Sequence, residues 1–152
     1  MTEFKRPTLT SGIYYKDPRA AIAWLEKAFG FETLMVVTDD AGNIGHSELR
    51  FGDGMIMVGG EWDATHKSPQ SNGGINTQGV HIQLESGIDA HYEQAKAAGA
   101  VVVREIADQF YGDRSYMVLD PEGHGWSFGQ TIQVMSNAEM AKAGGVAIQD
   151  KL

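Results

Sequence analysis

The chain has 152 residues, no cysteine, 42% apolar and 21% charged residues, which suits one globular domain and excludes disulfide frameworks, thiolate metal sites and cysteine nucleophiles. Twelve basic residues against twenty acidic ones leave a net charge of −8, with no Lys/Arg cluster to follow a phosphate backbone, so a nucleic-acid partner is excluded. The longest apolar runs, such as 55–58, are strand-sized, and no apolar stretch follows the opening charges, so a cytoplasmic protein without a membrane partner is expected.

In chain order, residues 9–15 form an apolar, β-rich run that predicts a strand. Asp17-Pro18 reads as a helix N-cap with proline in the first turn. Residues 20–29 carry Ala21, Trp24, Leu25 and Ala28 at helical spacing, and Gly30 stops them. Strand-like runs follow at 31–38, 44–51 and 55–59, parted by turns at 39–43 and 52–54. A polar, glycine-bearing stretch at 63–77 reads as a linker. Residues 79–85 predict a strand. Ser86-Gly87-Ile88-Asp89 has the form of a capping box with Asp for Glu, opening a helix that runs to 98 and stops at Gly99. Strands are expected at 101–106, 115–119 and 125–129, with a type I turn at Asp120-Pro121-Glu122-Gly123 between the last two. Ser136-Asn137-Ala138-Glu139 has capping-box spacing, so a short helix continues through 140–143 and ends at Gly144-Gly145.

The order strand, helix, three strands therefore occurs twice. Gly30 and Gly99 are 69 residues apart, and so are Gly54 and Gly123, which keeps the two copies in register. The pattern predicts a single α+β domain over 1–152, built from two tandem βαβββ modules whose curved mixed sheets surround a cavity. Module 1 spans 8–62, the linker 63–77, module 2 78–130, and a tail with the short helix 131–152. A helix on one side of each sheet leaves the other face to line the cavity, and strand alternation assigns residues to it.

Val80, Ile82 and Leu84 suit the helix side, which turns His81, Gln83 and Glu85 towards the cavity. Likewise Ile13 and Tyr15 take the helix side and leave Thr10, Gly12 and Tyr14 opposite. Parity groups His46 with Glu48, away from Ser47, Leu49 and Phe51. Trp126 and Phe128 make one strand face aromatic, either packed in the core or walling a flat ligand. Arg114 either holds an anionic ligand group or pairs with Asp113 or Asp120. His91 is expected at the surface or partly packed, His66 in solvent, and His124 where turn geometry is the demand. Met35, Met55, Met57 and Met117 are adaptable apolar lining. No Ser–His–Asp set or phosphate loop is legible, and His81 beside Gln83 or Glu85 is the one pairing that suggests a general acid or base.

Several segments resemble the vicinal oxygen chelate superfamily, the glyoxalase / bleomycin-resistance / extradiol dioxygenase group, and look closest to its PhnB-like branch. They are 17–25 through 29–32, 88–92 through 98–100, 111–116, and Asp120-Pro121-Glu122-Gly123-His124-Gly125-Trp126-Ser127-Phe128-Gly129, so that the resemblance covers about 8–130. It implies the glyoxalase/bleomycin-resistance fold, assembly as a homodimer, and a ligand cavity enclosed by the sheets. Metal-using members draw His or Glu ligands from the first and last strands of each module. Carried over, those positions fall near Thr10 and on Val58, His81 and Ser127, of which only His81 is a credible ligand. The resemblance thus implies a protein that binds a small, cationic or aromatic molecule without a standard metal site or cofactor. Its cavity is expected to be lined by Tyr14, His46, Glu48, His81, Gln83, Glu85, Arg114 and Trp126. The alternatives are a metal-dependent lyase, isomerase or dioxygenase that holds a divalent metal through His81 and His46 or Glu48, and an acid–base enzyme built on His81.

Overall fold

The computed structural model describes residues 3–152. Its first half is β1 (Ser11–Tyr15), α1 (Pro18–Phe29), β2 (Glu32–Thr38), β3 (Ile44–Phe51) and β4 (Gly54–Gly60). The second half repeats the order in β5 (Gly79–Leu84), α2 (Ile88–Ala97), β6 (Val101–Asp108), β7 (Asp113–Leu119) and β8 (Gly125–Thr131), and α3 (Asn137–Gly144) follows. Between the halves the linker carries one 3-10 turn, Pro69–Ser71. The fold is α+β, with two four-stranded mixed sheets of order β1-β4-β3-β2 and β5-β8-β7-β6. In each, the first strand pairs in parallel with the last and the rest is antiparallel. No helix among the described residues is long and apolar enough to cross a membrane.

Local chemistry explains the helix ends. The Asp17 carboxylate accepts from the Ala20 N–H, Pro18 opens α1, and Gly30 closes it at φ 88°. For α2 the expected capping box does not form. Gly87, at φ 76°, provides no side chain, and the Gln130 amide oxygen accepts from the Ile88 N–H instead, so a strand of the same half caps this helix. At α3 the Ser136–Glu139 capping box is complete, and the helix starts at 137 directly after it.

Both helices contribute to one core. Leu25, Ala28 and Phe29 of α1 and Ile88, Tyr92 and Ala95 of α2 join Ile13, Tyr15, Val58, Tyr116, Trp126 and Phe128 in a single buried cluster. Phe29 packs on Trp126 and Phe128 of the other half, and the Trp24 indole donates to the Ala98 carbonyl. The helix-bearing sides of the sheets therefore meet. Their other faces turn away from this core.

The two halves differ by one residue at their last hairpin. Ile13 corresponds to Ile82, an offset of 69, whereas their partners Val58 and Phe128 are offset by 70. The β3–β4 turn is Gly52-Asp53, closed by the Phe51–Gly54 pair, whereas Asp120 and His124 close a three-residue turn. A one-residue slip exchanges the faces of a strand. Val58 consequently lies fully buried on the helix side, and Met57 occupies the place on the open face that matches Ser127.

The longer turn joins the halves. Its Glu122 carboxylate accepts from the Lys16 and Asp17 N–H groups at 2.7 and 3.0 Å. Behind it the buried Asp120 accepts from the Tyr15 hydroxyl at 2.6 Å, the Trp126 indole at 3.0 Å, and the backbone of Glu122 and His124. Burial, with the negative charge of Asp120, pushes the Tyr15 phenol well above its ordinary range.

Candidate functional site

The shorter turn, Gly52-Asp53, makes no such closure against the β5–α2 junction. Between them opens a cleft of about 820 Å³ along the free edges of β1 and β5. Phe31, Phe51, Ile56, Val80, Ile82 and Leu84 give it an apolar wall, while Thr10, Asp53, His81, Gln83 and Glu85 give it a polar rim. Both faces of β5 reach it because the strand has no neighbour on that edge among the described residues. The volume and the mixture of wall and rim suit a small organic ligand.

On the open face of the second sheet, the register places His81 beside Ser127 and Gln83 beside Gly129. The Gln83 amide nitrogen donates to Asp113 at 2.9 Å and to the Thr131 hydroxyl at 3.1 Å. Its oxygen is thereby turned to His81 Nε2, 2.9 Å away, and must accept. His81 therefore carries its proton on Nε2, and Nδ1 accepts from the Ser127 hydroxyl at 2.8 Å. Gly129 makes room for this chain, since a Cβ there lies 2.9 Å from the Gln83 oxygen, 3.1 Å from His81 Cε1 and 3.2 Å from Asp113. The small residues Gly125, Ser127 and Gly129, alternating with aromatics, were the sequence signal for this floor. Asp113, Ser127, Gly129 and Thr131 were not read as site residues.

On the open face of the first sheet, His46 and Glu48 stand together, 3.4 Å apart, and Arg6 reaches Glu48 at 2.7 Å. The Arg6 guanidinium, helped by His46 and opposed by partial desolvation, holds the Glu48 carboxyl below the usual range. Tyr14 lies over Gly12, beside Met57, and packs edge-on against His66, which the sequence left to solvent. These residues are not on the walls of the large cleft.

Two expected cavity residues lie elsewhere. Trp126 is fully buried on the helix side against Phe29 and Phe31, because β8 turns its aromatics inward. Arg114 shares that side of its strand and pairs with Asp89 and Asp108, both at 2.9 Å, rather than with Asp113 or Asp120. His91 is partly packed. It bridges the Tyr116 hydroxyl and the Phe29 carbonyl.

A catalytic divalent metal needs at least three protein donors and an open position. In the row that would hold it, His81 Nδ1 and Ser127 are bonded to each other, and the matching row of the first sheet offers Gly12 and Met57. Those residues do not fit a metal. Among the described residues, no three of His, Cys, Asp and Glu are gathered to hold one.

Comparison with known proteins adds a lineage. The profile of the Glyoxalase/Bleomycin resistance protein/Dioxygenase superfamily matches residues 8–128. The uncharacterized protein Mb0911c of Mycobacterium bovis is 31% identical over 141 residues, 90% of this chain and 91% of its own. TioX from Micromonospora sp. ML1 is 32% identical with a TM-score of 0.65, over 86% of this chain and 100% of that one. The antibiotic binding protein TnmS3 from Streptomyces sp. CB03234 shares the fold at 17% identity and a TM-score of 0.63, over 86% of this chain and 99% of its own.

Proposed function

Because this chain belongs to the Glyoxalase/Bleomycin resistance protein/Dioxygenase superfamily, we propose that it binds a small aromatic or amphipathic organic molecule without using a metal. The observation that carries this reading is the cleft of about 820 Å³, apolar on one side and rimmed by His81, Gln83 and Glu85. The antibiotic-binding role given to TnmS3 supports it as a use to which the fold is put. In this reading the protein is a cytoplasmic homodimer of the PhnB-like branch. The open face of a second copy's first sheet then brings Tyr14, His46 and Glu48 to the same ligand. Support for the dimer comes from Met35 and Val37, which share the rows of Glu48 and His46 and are 42% and 46% exposed.

The test is thermal-shift and calorimetric screening of wild type and His81→Ala against nickel, zinc, manganese and iron(II), and against a panel of aromatic amines and phenols. Stabilisation by an aromatic member, weakened about tenfold by His81→Ala, is expected. A stoichiometric metal that is lost in His81→Ala overturns the proposal.

One observation favours a second reading, acid–base chemistry at His81. Its Nδ1 lone pair is directed at the Ser127 hydroxyl and its Nε2 is fixed by Gln83, the arrangement in which an imidazole takes a proton. Turnover lost equally in His81→Ala and Ser127→Ala marks that reading.

A further inference from the structure

The Arg6–Glu48 pair is lopsided. The Glu48 side chain is 8% exposed and the Arg6 side chain 63% exposed, so the carboxylate is fixed in the sheet while its cation hangs from the N-terminal arm in water. Removing the guanidinium costs little on the arginine side, because water takes it up again. It leaves a carboxylate whose remaining partner among the described residues is His46 at 3.4 Å. Glu48 also sits in an apolar row, with Met35 on one side of it and Met57 on the other. Two polarizable thioethers flanking a carboxylate make a bed for a flat apolar body that ends in a cation. On the same face Phe4 of the arm packs against the Arg50 guanidinium at 5.5 Å.

We propose that Glu48 is a recognition site for an aryl amidinium or guanidinium group, and that Arg6 is a built-in placeholder which such a ligand displaces. This deepens the proposed function, on whose placement of Glu48 at the ligand it rests, and its test reads Arg6 and Glu48 whereas the cleft is read through His81, so the two failures are distinguishable. Displacement exchanges one charge-assisted hydrogen bond for another and adds contact with Met35 and Met57. The arm therefore sets the threshold for binding, and it turns away cations too small to use the methionine bed.

The test is calorimetric titration of the full chain with benzamidine, at fixed low salt because exposed ion pairs are screened. Arg6→Ala is expected to bind benzamidine about tenfold tighter than wild type, with Arg6→Lys in between. A variant lacking residues 1–8 is expected to match Arg6→Ala. Arg6→Ala combined with Glu48→Gln is expected to lose the binding while keeping the wild-type circular dichroism spectrum. Equal affinity in wild type and Arg6→Ala overturns the proposal, as does benzamidine binding that survives Glu48→Gln. Binding that is lost in His81→Ala but indifferent to Arg6 and Glu48 assigns the probe to the cleft, which overturns the placeholder and leaves the cleft reading standing.

Discussion

Asp120 shows how much one side chain can hold. It is 3% exposed and accepts four hydrogen bonds, two from side chains of different halves of the molecule and two from its own turn. A buried carboxylate is tolerable on such terms, and removing it strands every donor. Asp120→Ala is expected to lower the unfolding free energy by about 3 kcal/mol, and Tyr15→Phe by about 1 kcal/mol. Urea denaturation followed by tryptophan fluorescence measures both, and unchanged midpoints would show that the joint contributes nothing. The sequence placed Asp120 correctly at the start of a turn. It gave no sign that the partner was Tyr15, because that bond spans 105 residues and depends on how the halves meet.

At the scale of elements, α2 is tied down by His91. Nε2 donates to the Phe29 carbonyl at 2.8 Å, so Nδ1 must accept from the Tyr116 hydroxyl at 2.6 Å, and only the neutral ring satisfies both. Burial pushes this imidazole below its ordinary 6.5. The unfolded chain then binds the extra proton more readily than the native one. Stability is therefore full above about pH 6.5 and is lost as pH falls through that value and the lower native one. Urea midpoints at pH 8, 7, 6 and 5 should fall steeply at the acid end for wild type and more gently for His91→Gln. Parallel curves would remove His91 from the explanation. Elements themselves were largely legible: caps at Asp17, Gly30 and Ser136 and the alternation along 44–51 and 79–85 reflect local chemistry and a single buried face. The faces of β4 and β8 were not, because equal glycine spacing conceals a turn that differs by one residue. That difference misassigned Val58. Trp126 and Ser127 needed the β5–β8 register, which joins strands 46 residues apart.

For the whole molecule, the helix-bearing sides meet in the shared core and wall the cleft, and the open face of the second sheet adds His81 and Gln83 to its rim. Cavity residues expected to converge inside one chain are split, with His46 and Glu48 on one sheet and His81 and Gln83 on the other. A second copy is the means of closing them together, as proposed above. Sedimentation velocity is expected to find a dimer, and Met35→Glu with Val37→Glu to raise its dissociation constant at least about a hundredfold, since like-charged carboxylates would line the contact. A monomeric wild type at micromolar concentration contradicts this.

The parallel pairing of first with last strand also governs the order of assembly. Among the described residues β1 has one sheet neighbour, β4, and β5 has one, β8, so each opening strand waits for the closing strand of its own half. The meanders β2–β3–β4 and β6–β7–β8 join near neighbours in sequence and close short loops, whereas β1 and β5 must be locked in across about forty intervening residues. During synthesis β5 stays unpaired until the stretch up to Thr131 has emerged. A chain cut short before Gly125 leaves it with an exposed ladder on both edges, ready to add to any other strand it meets.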